Sequence, residues 1–197
     1  FPKKPRNDFE RIVASKFPKY DEFSEKDWKK YFPSIRQIAY KTSSWRKLGR
    51  FPEDIDRADD TVMDLRAVKV GLKYEFAKDA KVYWHARDNL KSYLKLAYLD
   101  SVSDGQKGII WKRKVYLAEF GVIAFTLSLI FLGIFFDLKF LGLIFFFPLA
   151  IFLREGYFIF KRIKNLKLSF QGGWIMILLF FSHGFGGIRG LLKKYGF

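Results

Sequence analysis

An α/β region followed by α-helical transmembrane segments is the architecture this sequence points to, and three observations carry it. Before Lys114 apolar residues alternate with charge, at helical spacing in some stretches and at period two in others. After Lys114 the apolar residues gather into dense runs, the first of them Val115 to Phe136, about 22 residues and long enough to cross a hydrocarbon core. Basic clusters stand beside these runs. The chain therefore divides into residues 1–110, an α/β part, and residues 111–197, a membrane region of two or three helices.

Along the first part, Phe9, Ile12 and Val13 suggest a short amphipathic helix. Ser24 to Trp28 suggests another, with Ser24 as its N-cap. Pro18 and Pro33 separate these pieces. Ile35 to Tyr40 reads as a short strand, and Thr42 to Leu48 as one or two helical turns stopped by Gly49. Asp59 and Asp60 precede Val62, Leu65 and Val68, a helix closed by Gly71. Tyr74–Ala77 and Ala80–Trp84 alternate as two short strands, and Leu90 to Leu99 returns to helical spacing.

In the second part, Phe140 to Leu153 is apolar for only about 14 residues, short for a full span unless Gly156–Phe160 extends it. Trp174 to Phe181 opens a third run that fades into Gly-rich sequence, either a third span or a helix in the interface. Lys112, Arg113 and Lys114 precede the first run. Arg154, Lys161, Arg162, Lys164 and Lys167 follow the second. By the positive-inside rule both basic groups are cytoplasmic, with a short external turn at Asp137. The expectation is a multi-pass protein of the cell membrane. Glu119 and His183 stand inside apolar runs, where an ionisable group is costly and points to function or to the interface.

The formal charge is +16, from 36 Lys and Arg against 20 Asp and Glu. Such a balance raises nucleic acid as a partner. Here the cations are dispersed among acids or sit beside apolar runs, so an anionic leaflet or a phosphate-bearing substrate accounts for them, and no nucleic acid is expected. With no cysteine there is no disulfide frame, zinc–thiolate site or cysteine nucleophile.

Four blocks in order then carry a resemblance. They are Pro33–Lys41, Leu48–Glu53 (Leu-Gly-Arg-Phe-Pro-Glu), Ala58–Thr61 with its acidic pair, and Asp79–Arg87 (Asp-Ala-Lys-Val-Tyr-Trp-His-Ala-Arg). Together they resemble the acceptor-side half of a family 2 glycosyltransferase. The resemblance implies a partial GT-A-like domain, read as the C-terminal part of a longer protein that lacks the nucleotide-binding half. It implies inverting transfer from a nucleotide-diphosphate sugar to a lipid-linked or glycan acceptor, with the catalytic part cytoplasmic and Mg or Mn on the donor. Asp60 would be the general base, taking the acceptor proton as the hydroxyl attacks. Asp59, Trp84 and Arg87 would bind acceptor, and His85 would help hold the metal.

Each of these residues also has a plainer role. Asp at a helix start caps the N-terminus, His85 could be a surface histidine at a strand end, and Arg87 could pair with Asp88. Asp54-Ile55-Asp56 spells D-x-D but follows Pro52-Glu53 in a polar loop rather than a buried strand, so it reads as a loop cluster. No Q-x-x-R-W box occupies Lys95 to Gly105, which favours single-sugar transfer over a processive synthase. The alternative to an enzyme is a membrane-anchored basic module binding anionic lipid or a partner subunit.

Overall fold

Asparagine side chains open three of the helices. In the computed structural model of the chain, residues 2–17, 38–53, 57, 59–75, 77, 79–112 and 114–196 are described. Helix α1 (Asp8–Ala14) begins at Asn7, whose side chain accepts the Glu10 N–H. Helix α2 (Thr42–Lys47) ends at Gly49, where φ is +81°. Helix α3 (Asp59–Lys69) carries Asp59 and Asp60 in its first turn and is followed by Gly71 at φ +71°. Helix α4 (Leu90–Gln106) begins at Asn89, which accepts the Ser92 N–H.

A 3₁₀ turn (Ile109–Lys112) leads into α5 (Lys114–Phe135). After a turn at Asp137 come the short α6 (Lys139–Gly142), a 3₁₀ turn (Leu143–Phe145) and α7 (Phe146–Ile163). Pro148 lies in the first turn of α7, where no N–H partner is needed, and its ring accounts for the break in the helix just before it. Lys164, left-handed at φ +57°, reverses the chain, and Asn165 caps α8 (Leu166–Lys194).

The expected α/β scaffold does not form. Among the described residues there is no strand, and the nearest approach to one is a parallel bridge between Pro2 and Trp84, with the Lys3 N–H donating to the Trp84 carbonyl at 2.8 Å. Residues 38–40, 72–75 and 80–83 are irregular; Ile35, Arg36, Gln37 and Phe76 lie outside the described residues, as does the Ser24–Trp28 helix start. The reason is physical. Alternation suits a half-buried strand only if a neighbour takes its N–H and C=O groups. Here the tight turns Ala80 N–H to Ala77 and Lys81 N–H to Asp79 divert the chain between the two candidate strands. Packing falls to helices instead.

Helix α8 is the axis of that packing. It runs parallel to α4 at a constant offset of 88 residues, with the Ser182 hydroxyl donating to the Leu94 carbonyl at 2.8 Å. One and two turns on, Gly186 lies against Tyr98 and Gly190 against Val102, so close that an added Cβ would stand 2.4 Å and 2.1 Å from their carbonyl oxygens. Ser182, Gly186 and Gly190 recur every four residues, the small-residue spacing that lets two helix backbones approach. Along its first half α8 runs antiparallel to α7, where Gly173 meets Phe152 and Gly156 meets the Ser169 carbonyl. Ile12 of α1 joins Ile159, Leu168, Ile175 and Met176 in a core there, with Phe9, Leu90 and Tyr93 packed on it. A second core, Leu48, Met63 and Ala67, seats α2 on α3 beneath Tyr40, Trp45 and Phe51.

Helix α5 and the α6–α7 segment differ from α8 in their surroundings. They form an antiparallel hairpin, with Phe125 against Phe147 and Gly133 against Leu141, whose tip is Asp137 accepting the Lys139 N–H. Between Leu127 and Leu153 only Leu129 and Gly133 are buried, and large apolar side chains stand exposed, Phe136 by 73% and Phe145 by 74%.

Two substitutions test the close approach. Gly190→Val should lose about 1–3 kcal/mol or more by forcing α4 off α8. Gly121→Ala, where nothing lies within 4 Å of an added Cβ, should be neutral or gain up to about 1 kcal/mol of helix propensity. Denaturant titration of the two variants in detergent reads the difference, and equal midpoints would refute this packing.

Candidate functional site

The two ionisable residues isolated in separate apolar runs meet. Glu119, on the first third of α5, is buried, and both its carboxylate oxygens lie 2.8 Å from Nδ1 of His183 on α8. The imidazole stacks on the Tyr116 ring at 4.3 Å, with 15° between the planes. Tyr116, wholly buried, donates its hydroxyl to Oδ2 of Asp104 on α4 at 2.8 Å. Gly187 makes the room: a Cβ there would press on the Tyr116 ring at 3.2 Å. Asp104, Tyr116, His183 and Glu119 thus form a polar joint at the base of the hairpin, tying three helices.

Chemically the joint pairs a carboxylate with an imidazole in surroundings of low polarity, where an unpaired charge costs several kcal/mol. Spacing alone found Glu119 and His183 but not Tyr116 or Asp104. The signal for Asp104 is its place four residues after Asp100 on α4.

A second polar cluster lies at the N-terminal end. Glu10 is buried and accepts from the Arg6 N–H at 2.8 Å and Arg6 Nε at 3.1 Å, while its Oε1 lies 2.9 Å from His85 Nδ1. The Arg6 backbone N–H, aided by the Arg6 side chain and His85 and opposed by burial, holds the Glu10 carboxyl at about 2. A third lies under α3. Asp64 is wholly buried and its Oδ1 accepts from Tyr40 at 2.5 Å and Tyr74 at 2.9 Å, while Oδ2 has no hydrogen-bond partner among the described residues. Burial pushes the Asp64 carboxyl up, and burial beside Asp64 pushes the Tyr74 hydroxyl up to about 12.

The residues named from the sequence fall in two places. Asp59 and Asp60 are half-buried at the start of α3, and Asp60 Oδ1 accepts the Thr61 N–H at 2.7 Å. Trp84, His85 and Arg87 lie on an irregular segment, with Trp84 edge-on to Phe17 at 4.8 Å and Arg87 exposed. Asp54 and Asp56 lie outside the described residues. The surroundings of His85 do not fit a divalent cation. Its Nδ1 faces Glu10, Glu10 is held by Arg6, and among the described residues no three His, Asp or Glu side chains converge.

Compared with known proteins, the chain matches no family model, no curated protein and no solved structure.

Two predictions follow from these clusters. Glu119→Ala should cost about 1–3 kcal/mol by taking its partner from the half-buried His183, and Tyr116→Phe about 0.5–1.5 kcal/mol by removing one hydrogen bond. Equal, small losses by thermal unfolding in detergent would mean that the joint is not formed. For Glu10 the folded carboxyl lies below its unfolded value. Its contribution is therefore complete above about 4.5 and is lost as pH falls towards about 2. Glu10→Gln should flatten that acid limb in a pH series of unfolding midpoints, and an unchanged limb would refute the assignment.

Proposed function

We propose that the chain is a membrane-anchored basic module: an apolar hairpin inserted in the bilayer, holding a helical layer at the cytoplasmic leaflet with anionic lipid as its partner. Among the described residues three helical stretches are long and apolar enough to cross a membrane, Lys114–Phe135, Lys139–Ile163 and Leu166–Lys194. The observation that carries the reading is the hairpin of α5 with α6–α7, which between Leu127 and Leu153 buries only Leu129 and Gly133 and leaves its large apolar side chains exposed. So large an exposed apolar surface has no stable place in water. Its tip carries a self-neutralising pair, Lys139 and Asp137 at 3.6 Å. Its other end carries more cations than acids: Lys114 opens α5, Arg154 pairs with Glu155 on α7 at 3.5 Å, and Lys161, Arg162, Lys164 and Lys167 follow around the α7–α8 turn. Each such cation near an anionic leaflet contributes roughly 1 kcal/mol.

Inverting glycosyl transfer with Asp60 as base is the second reading. It draws on one observation, the acidic pair in the first turn of α3. It would need a donor site beyond the groups described above, and no step through a metal is assigned. Asp60 in the first turn of α3 also complements the positive end of the helix dipole, a role that needs no chemistry.

Topology tests the first reading. With no native cysteine, Leu138→Cys and Lys164→Cys should react with an impermeant maleimide from opposite faces of sealed vesicles; labelling from one face alone would overturn the crossing hairpin. For the second reading, Asp60→Asn in an active preparation would lower turnover about 10²–10⁴-fold if Asp60 is a base. A cap alone predicts unchanged turnover and a stability loss of about 1 kcal/mol.

A further inference from the structure

We infer that α8 lies along the membrane–water interface instead of crossing the bilayer, and that its outer face is a lipid-binding surface for an anionic leaflet. The inference rests on the membrane reading above and deepens it. Length and composition admit α8 as a span. What surrounds it argues otherwise.

The outer face is one stripe. Leu166, Phe170, Trp174, Leu178, Phe181, Phe185 and Leu192 are exposed and recur at three or four residues, apart from the longer step to Leu192. At 1.5 Å per residue the stripe runs roughly 39 Å, longer than a hydrocarbon core of about 30 Å. The inner face is buried: Leu168, Ile175 and Met176 fill the core with α1 and α7, and Gly184, Gly186, Gly187 and Gly190 sit against α4 and α5. One-sided exposure beside charged neighbours is the pattern of an interfacial helix. The hairpin is exposed more widely, burying only Leu129 and Gly133 between Leu127 and Leu153.

The partners decide the orientation. The 88-residue register with α4 sets Lys91 and Lys95 abreast of residues 179 and 183, the middle of α8. Both lysines are exposed. Ile12 against Gly172 likewise brings α1, with exposed Asp8 and Arg11, beside the first third of α8. A spanning α8 would carry these charges into the hydrocarbon, each at a cost of about 2.5–3.5 kcal/mol near the centre. Laid in the interface, the same groups meet water or lipid phosphate. Lys167 and Arg189, exposed towards the two ends, and Lys193 and Lys194 at the C-terminal end, supply the charge that an anionic headgroup layer complements.

The test uses single cysteines carrying an environment-sensitive fluorophore at Phe170, Leu178 and Phe185, in the full chain reconstituted into phosphatidylcholine–phosphatidylserine vesicles. Quenching by lipids brominated at graded depths should place all three at one shallow depth, about 5–10 Å below the headgroups. Cysteines at Lys167 and Tyr195 should react with an impermeant reagent from the same face. A deep Leu178 between shallow Phe170 and Phe185, with Lys167 and Tyr195 reacting from opposite faces, would establish a span and overturn the inference. Three unquenched probes would also overturn it, since the stripe would then face water. The hairpin is read separately from Leu138 and Lys164, so the failure of one reading does not imply that of the other.

Discussion

The backbone of α8 approaches the backbone of α4 so closely that only hydrogen fits between them at Gly186 and Gly190. Everything else in the arrangement depends on that contact. It holds α4 in one register, because a slip of one residue would set a side chain where a glycine must be. It leaves Gly105 of α4 facing Gly187 and Gly190, so the requirement is mutual. Where α8 meets α4 its inner face is glycine, while its first half buries Leu168, Ile175 and Met176 against α1 and α7. The aromatic stripe lies on the face that these contacts leave open.

Buried polar groups add specificity where glycine packing is smooth. A glycine face alone permits α5 to meet α8 at several heights. Glu119 and His183 remove that freedom, since only one placement lets each charge find the other, and Tyr116 extends the constraint to Asp104 on α4. At the other end Glu10, held by Arg6 and His85, ties α1 to the segment after residue 84. These joints stand where charged surface gives way to apolar surface, which is where a membrane boundary would fall. A pair there costs less to bury than either ion alone.

The glycosyltransferase resemblance rests on short sequence blocks whose meaning in that family depends on a sheet. Where residues of these blocks are described, they lie on helix ends and irregular segments. Gly49 closes α2, the acidic pair opens α3, and the Trp84–Arg87 stretch lies beside the N-terminus. Each residue type has a local use that needs no sheet: left-handed backbone for glycine, capping for aspartate, pairing with Glu10 for His85. A block can persist in order while the long-range pairing that gives it chemistry is missing.

Helices were largely legible in the sequence. The helix after Asp60, the stops at Gly49 and Gly71, and the dense run after Val115 each reflect forces within a few turns of chain, although the face that this helix buries is Met63 and Ala67 and not Val62, Leu65 and Val68. The asparagine caps at Asn7, Asn89 and Asn165 were equally available and went unread. So did the four-residue spacing of Ser182, Gly186 and Gly190, because Gly-rich sequence resembles a fading helix until a partner backbone is known. What tertiary structure alone decided was non-local. Period-two stretches became irregular because no strand stood beside them to take their hydrogen bonds. Glu119 and His183, 64 residues apart, became a pair only when α5 crossed α8 at one height. The two faces of α8 acquired their different roles only when α4 covered one of them, because burial is a property of what lies opposite a side chain and not of the side chain itself.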